Sequence, residues 1–322
     1  MAQLRNSADD LFALIGRTSE ALKIPAGFVE KDFWATELLR SVTSAAATEH
    51  SIAVFKGGTS LSKGFGLIER FSEDVDILLV PPGGLGEGAR HGILKRIEAA
   101  AARHLGLGDA DIVVLRSTTG IKRDVRYPYR RRFDLGILSE GVLLEMGVRG
   151  GPQPRVSMEV DSYIARFAKT TLNLPEGEFE EFQTVAVEVL AKERTLVEKL
   201  ALLHNLASRY PDQNATEDLE RAGRHYYDVY RLLGDAATRS ECEVPQTVER
   251  LAEDVDQKSA EYGWPFTPRP EGGYAESPAF NREHELHSHA RKGYERAAQL
   301  IYGEAPTFDV CLRRVRDSAE LL

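Results

Sequence analysis

The chain has 322 residues, of which 42% are hydrophobic and 28% are charged, an ordinary balance for a soluble globular protein with one large core or two lobes. Its formal net charge of −9 argues against a protein that coats nucleic acid non-specifically, although local RNA binding stays open. No apolar run approaches the ~20 residues needed to span a bilayer, and the N-terminal stretch lacks the apolar core of a signal peptide. Because the only cysteines are Cys242 and Cys311, we expect reduced structural thiols in a cytoplasmic protein without a membrane partner.

The first predicted elements are two helices within residues 8–45. In the second helix, Phe33, Leu38 and Leu39 lie on one apolar side that would pack on a sheet. The charged triplet 30–32 is expected to form surface or buttressing ion pairs rather than to take part in catalysis.

A small-residue turn follows the apolar segment Ser51–Phe55, which fits a buried strand or the end of a helix. Two glycines permit backbone angles closed to other residues and the close approach of a ligand. Two hydroxyl groups follow, and a short helix is expected to open at residues 61–63, where free N–H groups and Lys63 would favour phosphate. The turn consists of Gly57, Gly58, Thr59 and Ser60.

Two aspartates one residue apart open the next predicted strand, residues 74–80. Because side chains alternate faces along a strand, Asp74 and Asp76 point the same way. Without a cation these carboxylates would repel, and one of them would take a raised pKa. Oxygen ligands of this type suit Mg²⁺ or Mn²⁺, which keep water and substrate phosphate in their remaining positions. The turn and the aspartate pair together indicate metal-dependent transfer of a nucleotide.

A loop at 81–86, a helix at 87–104 and a strand at 112–115 lead to a strongly basic segment, residues 122–132. Arginine clusters neutralise phosphates and the interleaved tyrosines can stack on bases, so contact with RNA or a nucleotide is one interpretation. An exposed β-hairpin with solvated arginines is the other. The candidate RNA contacts are Lys122, Arg123, Arg126, Arg130, Arg131 and Arg132.

A third acid is expected in the predicted strand at 141–146, where Glu145 follows an apolar run. A carboxylate is costly to bury there unless it has a partner, and a bound cation is such a partner. Glu145 is therefore a candidate metal ligand and base. Glu159 and Asp161 also lie near a strand and are alternatives.

From about residue 190 the chain is predicted to be helical, with Leu196, Leu200 and Leu203 on one core face. Arg194 and Glu198 are four residues apart and can pair. The aromatic-rich segment 262–280 is expected to be an ordered loop, and a helical segment from 287 to 322 ends the chain.

A further predicted helix places Arg224 and Asp228 one turn apart, with His225 nearby. Asp228 could orient Arg224 or Lys199 toward phosphates. A purely structural cluster of buried tyrosine and aspartate is the alternative.

Six separated stretches carry a resemblance to a known family. The G-G-T-S turn followed by D-x-D resembles the active-site signature of the DNA-polymerase-beta-like nucleotidyltransferase superfamily. The wider pattern resembles AbiEii/AbiGii-type nucleotidyltransferase toxins, the group that includes the MenT toxins. The matching stretches are Val29–Trp34, Gly57–Asp76, Leu143–Gly147, Glu193–Leu200, Arg224–Asp228 and, as in a longer branch of the family, Arg269–Phe280.

The resemblance implies a mixed α/β (α+β) nucleotidyltransferase domain, residues 1–187, followed by a helical C-terminal domain, residues 188–322, with the site in the cleft between them. It favours Glu145 over the two alternative acids, and it implies a functional lysine at the position of Lys199. The implied metal ligands are Asp74, Asp76 and Glu145, binding Mg²⁺ or Mn²⁺. The implied nucleotide contacts are Thr59, Ser60 and Lys63 for the β- and γ-phosphates, and Lys199 and Arg194 for the leaving group.

By resemblance, the substrate is an NTP and the acceptor is an RNA 3′ end, with tRNA favoured. Nucleotides added there would block aminoacylation and arrest growth, as expected of the toxin in a toxin–antitoxin or abortive-infection system with a cognate antitoxin encoded nearby. The alternatives are transfer to a protein or a small molecule, phosphotransfer to a protein, and a nucleotide-binding regulator without transfer activity. The sequence leaves the base of the nucleotide open.

Overall fold

The computed structural model describes residues 1–72, 74–134, 136 and 139–322. It divides into two compact units. The first unit comprises Met1–Phe65 and Ser72–Val189, and the second comprises Gly66–Phe71 and Leu190–Leu322. Among the described helices, none has the length and apolarity needed to cross a bilayer.

The first unit is built on a mixed sheet whose strand order is β3-β4-β5-β2-β1-β7-β6. The strand β2 pairs antiparallel with β1 and parallel with β5, whereas β4 pairs antiparallel with both β3 and β5. Within the described residues the strands are β1 Ile52–Lys56, β2 Asp74–Val80, β3 Val113–Thr118, β4 Lys122–Tyr127, β5 Val142–Gly147, β6 Arg155–Val160 and β7 Val185–Leu190.

Alternation along the strands separates an apolar face of the sheet from a polar one. Val75 and Ile77 of β2, like Leu144 and Met146 of β5, point into the hydrophobic core, where helices also pack. The opposite face therefore receives the acidic residues of both strands. The helices of this unit are α1 Ala8–Leu22, α2 Ala26–Thr48, α3 Gly57–Lys63, α4 Glu87–His104 and α5 Tyr163–Thr170.

The structure confirms the mixed α/β fold and most of the predicted elements of the first unit. Two details differ. The short helix α3 begins at Gly57, four residues before its predicted opening, so the small-residue turn is itself helical. The first half of the basic segment forms a hairpin with the exposed strand β3, but β4 itself lies inside the sheet between β3 and β5 and Arg123 is buried, so not all of its arginines are solvated.

The second unit is helical, as predicted. Leu196, Leu200 and Leu203 are buried on α6, which packs against α8, and both Cys242 and Cys311 are buried and free. In the predicted ordered loop, Tyr274 and Phe280 are buried in short 3-10 turns, whereas Trp264 is exposed. The helices are α6 Lys192–Ser208, α7 Gln213–Arg221, α8 Arg224–Gly234, α9 Ala236–Glu243, α10 Thr247–Glu261, α11 His287–Ala298 and α12 Phe308–Arg316.

Candidate active site

Three carboxylates lie side by side across the polar face of the sheet. Asp76 on β2 is in register with Glu145 on β5, and Glu145 is in register with Asp124 on β4. Asp74 lies two residues before Asp76 on the same face. Because neighbouring strands are only about 4.8 Å apart, the row concentrates negative charge where a cation would stabilise it.

Basic residues stand at both ends of this carboxylate row. Lys56 on β1 is in register with Asp76, and Arg116 on β3 is in register with Asp124. The Arg116 guanidinium lies 3.9 Å from Asp124 and is mostly exposed to solvent. The sheet register thus produces a charged strip with acids in the middle and cations at the edges.

Asp124 is a member of the row that the sequence patterns did not identify. Its residue surface is 4% exposed, and Oδ1 has no hydrogen-bond partner among the described atoms. Burial raises the pKa of Asp124, Lys122 lowers that pKa by hydrogen bonding to Oδ2, and the Glu145 charge raises it further. The signal that could have found it is its position two residues from Lys122 and Arg126 in a strand whose other face carries the buried Val125 and Tyr127.

Gly57 allows the Asp76 carboxylate to approach the main chain at the end of β1. Its φ is +74°, and a Cβ placed there would lie 2.1 Å from Asp76 Oδ2. Any other residue would therefore collide with the carboxylate as well as strain the backbone. This explains in physical terms why a glycine stands at the first position of the turn.

The hydroxyl groups of the turn are engaged with the main chain. Thr59 donates to the carbonyl of Asp74, and Ser60 donates to the carbonyl of Gly57 at 2.9 Å. Both residues are buried, as is Gly58. Thr59 therefore ties α3 to the first residue of β2, and the main-chain N–H groups of the first turn are the donors best suited to a phosphate.

The side chain of Lys63 is largely buried at the other end of α3, where its ammonium lies 2.5 Å from Asp32 and 2.7 Å from the Thr36 hydroxyl. Burial lowers the pKa of Lys63, while the Asp32 charge works in the opposite direction. Of the two predictions for the triplet Glu30, Lys31 and Asp32, that of surface ion pairs is wrong, because all three residues are buried. The predicted contact of Lys63 with phosphate stays a prediction, and it would require the lysine to leave this pair.

The sheet order separates the alternative third acids from the aspartates. Glu159 is on β6, which stands three strands away from β2 in the sheet, roughly 14 Å at ordinary strand spacing. Asp161 is paired with Lys169 at 2.9 Å. Glu145 is the acid that the structure brings next to Asp76.

The basic segment divides into a buried part and an exposed part. The Arg123 guanidinium is held by Glu98 and Ser117 on the core side of the sheet, and Arg126 is half-buried. Arg130, Arg131 and Arg132 are exposed beyond the end of β4. The exposed arginines are available to a polyanion, whereas Arg123 has a structural partner.

A buried ion cluster organises the second unit around Asp228, whose surface is 0% exposed. Arg70 binds both carboxylate oxygens at 2.7 Å, and the Lys199 ammonium lies 2.7 Å from Oδ2 and 3.0 Å from His225 Nδ1. Burial alone would raise the pKa of Asp228, but the charges of Arg70 and Lys199 outweigh it and hold that pKa well below its usual value. Asp228 therefore pairs with Lys199, one of its two candidate partners, and its role in orienting that lysine toward phosphates stays a prediction. Arg70 is a partner that sequence reasoning missed.

Burial lowers the pKa values of the two bases beside Asp228. The pKa of Lys199 falls mainly through desolvation, and that of His225 falls to about 3 through desolvation and the nearby Lys199 charge. His225 is therefore neutral at physiological pH. No role for His225 was predicted from the sequence, where its three-residue spacing from Asp228 was the available signal.

The two remaining predicted nucleotide contacts differ in exposure. Arg194 is buried and pairs with Asp254 at 2.5 Å and with Glu198 at 3.2 Å. Arg224 is exposed at the first residue of α8. The possible Arg194–Glu198 pair is thus present, and the role of either arginine toward a nucleotide stays a prediction.

The donor chemistry of the carboxylate row fits a hard divalent cation, because the available ligands are carboxylate oxygens. The buried Oδ1 of Asp124, which has no hydrogen-bond partner among the described atoms, leaves an unsatisfied acceptor on this face. Within the described part of the chain, no three acidic, histidine or cysteine side chains already converge as a closed ligand set. The geometry thus supplies an open acidic strip, in which solvent and phosphate would complete the coordination of a metal.

Replacing Asp228 with asparagine should destabilise the second unit, because the buried Lys199 ammonium would lose its carboxylate partner and Arg70 would lose its paired, charge-assisted contact with both carboxylate oxygens. We expect Asp228→Asn to lower the free energy of unfolding by about 3–5 kcal/mol in urea at pH 7. The matched change Arg224→Gln, at an exposed position of the same helix, should stay within about 0.5 kcal/mol. Because the depressed pKa stabilises the fold above the unfolded value of about 3.9, the difference should narrow as pH falls below about 4. Equal free energies of unfolding for the two variants at pH 7 would contradict the stabilising role of Asp228 in this cluster.

Comparison with known proteins adds a family to this geometry. The family model described as nucleotidyl transferase AbiEii toxin, type IV toxin–antitoxin system, matches residues 37–314. Among solved structures, the chain is similar to MenT4, a nucleotidyltransferase toxin from Mycobacterium tuberculosis H37Rv, with 17% identity, 96% of each chain covered and a TM-score of 0.39. No curated protein sequence matches the chain. Because the family model spans most of its length, the chain belongs to the AbiEii family of nucleotidyltransferase toxins from type IV toxin–antitoxin systems.

Proposed function

We propose that this nucleotidyltransferase transfers an NMP from an NTP to the 3′ end of an RNA, with tRNA as the acceptor, and thereby blocks translation. The register of Asp76 with Glu145 carries the proposal, because it joins the D-x-D strand to a third acid on the neighbouring strand. Two acidic strands side by side are what metal-assisted transfer of a nucleotide needs.

Asp74, Asp76 and Glu145 are the residues that would hold Mg²⁺ or Mn²⁺. When bound, the cation supplies positive charge to the triphosphate and to the developing pyrophosphate. Glu145 would accept the proton of the RNA hydroxyl. The hydroxyl oxygen then bonds to the α-phosphorus as the bond from that phosphorus to pyrophosphate breaks. Gly57, Gly58 and the first-turn N–H groups of α3 would bind the β- and γ-phosphates, with Thr59 and Ser60 holding the turn in shape.

The exposed arginines support an RNA acceptor. Arg130, Arg131 and Arg132 follow the strand that carries Asp124, so positive charge leads away from the carboxylate row along the chain. Arginines of this type neutralise backbone phosphates. The net charge of −9 would confine RNA to such a local basic surface.

In the second unit we propose Lys199, oriented by Asp228, as the lysine that binds the phosphates of the nucleotide. The short contact between the two side chains supports this assignment, because it gives the ammonium a fixed direction. Arg194 and Arg224 are proposed as further cationic contacts, and Arg194 would have to share its charge with Asp254. The cognate antitoxin would be encoded nearby, and we propose the cytoplasm as the place where both act.

Purified protein incubated with total tRNA, Mg²⁺ and each α-³²P-NTP in turn should label tRNA with at least one nucleotide. Glu145→Gln should lower the rate roughly a hundredfold or more, because it removes a charge from the reacting centre. Glu159→Gln is the matched control, since it makes the same change on a strand that does not adjoin the aspartates, and it should retain the rate.

The other products identify the rival functions. A labelled protein band in place of tRNA would overturn the RNA acceptor, and transfer of a γ-³²P label would indicate a phosphotransferase. Nucleotide binding without transfer of either label would indicate a regulator. Equal loss in Glu145→Gln and Glu159→Gln would contradict the assignment of the third acid.

Neutralising the exposed arginines should weaken the use of tRNA without changing the use of the nucleotide. We expect Arg130→Gln/Arg131→Gln/Arg132→Gln to raise the KM for tRNA about tenfold and to reduce the salt dependence of binding, with the KM for NTP unchanged. The control Arg209→Gln/Arg221→Gln/Arg250→Gln removes the same charge from exposed positions elsewhere. Equal effects of the two triple variants would show that net charge, rather than this segment, governs RNA binding.

A further inference from the structure

A lysine lies beside the proposed metal ligand Glu145. The Lys122 ammonium is 3.1 Å from Asp124 Oδ2 and 3.7 Å from Glu145 Oε2. Lys122 and Asp124 are two residues apart on β4 and point to the same face. The cross-strand neighbour of Lys122 is Gly147, which has no side chain, so the lysine has room to reach back toward Glu145.

Asp124 commits Lys122 to this position. Asp124 is buried and its Oδ1 has no hydrogen-bond partner among the described atoms, so its neutralisation depends on the groups at Oδ2. Of the two cations there, Arg116 is farther away, at 3.9 Å, and its side chain is 68% exposed, whereas Lys122 is 30% exposed. Movement of Lys122 into solvent would leave a buried carboxylate without a close partner, which is strongly unfavourable in proteins.

We infer that Lys122 is a tethered counter-cation of the carboxylate row, which competes with a divalent cation at Glu145 and is kept there by its anchor, Asp124. The inference rests on the proposed function only in taking Glu145 as a metal ligand. It gives Lys122 a positioning role in the active site in place of its predicted role as an RNA contact.

The physical consequence is a weak affinity for metal in the absence of nucleotide. An ammonium a few ångströms from the ligand repels an incoming cation, and the partly solvated site screens that repulsion only in part. An anionic triphosphate would offset the excess positive charge once both cations are present. Metal and nucleotide are therefore expected to bind cooperatively, and removal of Lys122 should reduce that cooperativity.

The test is a titration of the full chain with Mn²⁺ alone, with free Mn²⁺ measured by electron paramagnetic resonance. Lys122→Met should bind Mn²⁺ about five- to tenfold more tightly than the wild type, the size expected from removing one like charge nearby. Lys95→Met removes the same charge from an exposed position on α4 and should leave the affinity unchanged. Equal affinity of Lys122→Met and the wild type, or an equal gain in Lys95→Met, would overturn the inference.

A second pair of variants tests the anchor. In Asp124→Asn the group that holds Lys122 in the row is removed, so the ammonium is free to move into solvent. Adding Lys122→Met to that variant should therefore change the Mn²⁺ affinity less than about twofold, whereas the same change in the wild type raises it about five- to tenfold. An equal gain from Lys122→Met in both backgrounds would show that Asp124 does not hold the lysine, and the role of anchor would be wrong.

An Asp74→Asn/Asp76→Asn variant separates this inference from the proposed function. If Mn²⁺ binding persists in that variant, the ion lies elsewhere, and the proposed metal site fails together with the inference. If binding is lost there while Lys122→Met behaves as the wild type, the metal site stands and the inference alone fails. Circular dichroism of each variant confirms that the fold is intact before the titrations are compared.

Discussion

The in-register parallel pairing of β2 with β5 is the constraint on which the candidate active site depends. It sets Asp76 beside Glu145, and the next pairing, of β5 with β4, adds Asp124 to the same row. A slip of one residue would turn each acid toward the hydrophobic core. The apolar residues on the other face, such as Ile77 and Leu144, therefore fix the position of the carboxylates through the cost of exposing the core.

The carboxylate row brings several negative charges together, and basic side chains at its ends and beside it partly neutralise them. Lys56 and Arg116 lie in register at the ends of the row, and Lys122 lies within reach of two of its acids. The cluster at Asp228 has a different balance, because a fully buried carboxylate is already neutralised by Arg70 and Lys199. The first arrangement leaves capacity for a metal ion, whereas the second fixes the direction of a lysine.

Local patterns predicted the parts of the site that lie close together in sequence. Asp74 and Asp76 are two residues apart in a strand, and Glu145 ends an apolar run, so alternation and burial cost were sufficient to select them. Asp124 was missed because it lies in a basic segment, and only long-range pairing shows that it stands beside Glu145. Arg70 and Asp228 are 158 residues apart, and no local period records such a contact. The early start of α3 reflects the positive φ of Gly57 and the hydrogen bonds of Thr59 and Ser60. From their small size and polarity alone, these residues were predicted to form a turn.

The position at which a divalent cation binds with its nucleotide is the property that most directly tests the role of the carboxylate row. Crystals grown with Mn²⁺ and an NTP analogue that cannot be cleaved between the α- and β-phosphates would locate the metal by anomalous scattering. The account predicts a peak within about 2.0–2.3 Å of carboxylate oxygens from Asp76 and Glu145, on the polar face of the sheet. A peak on β6 near Glu159, or a bound nucleotide with no peak on this face, would contradict it.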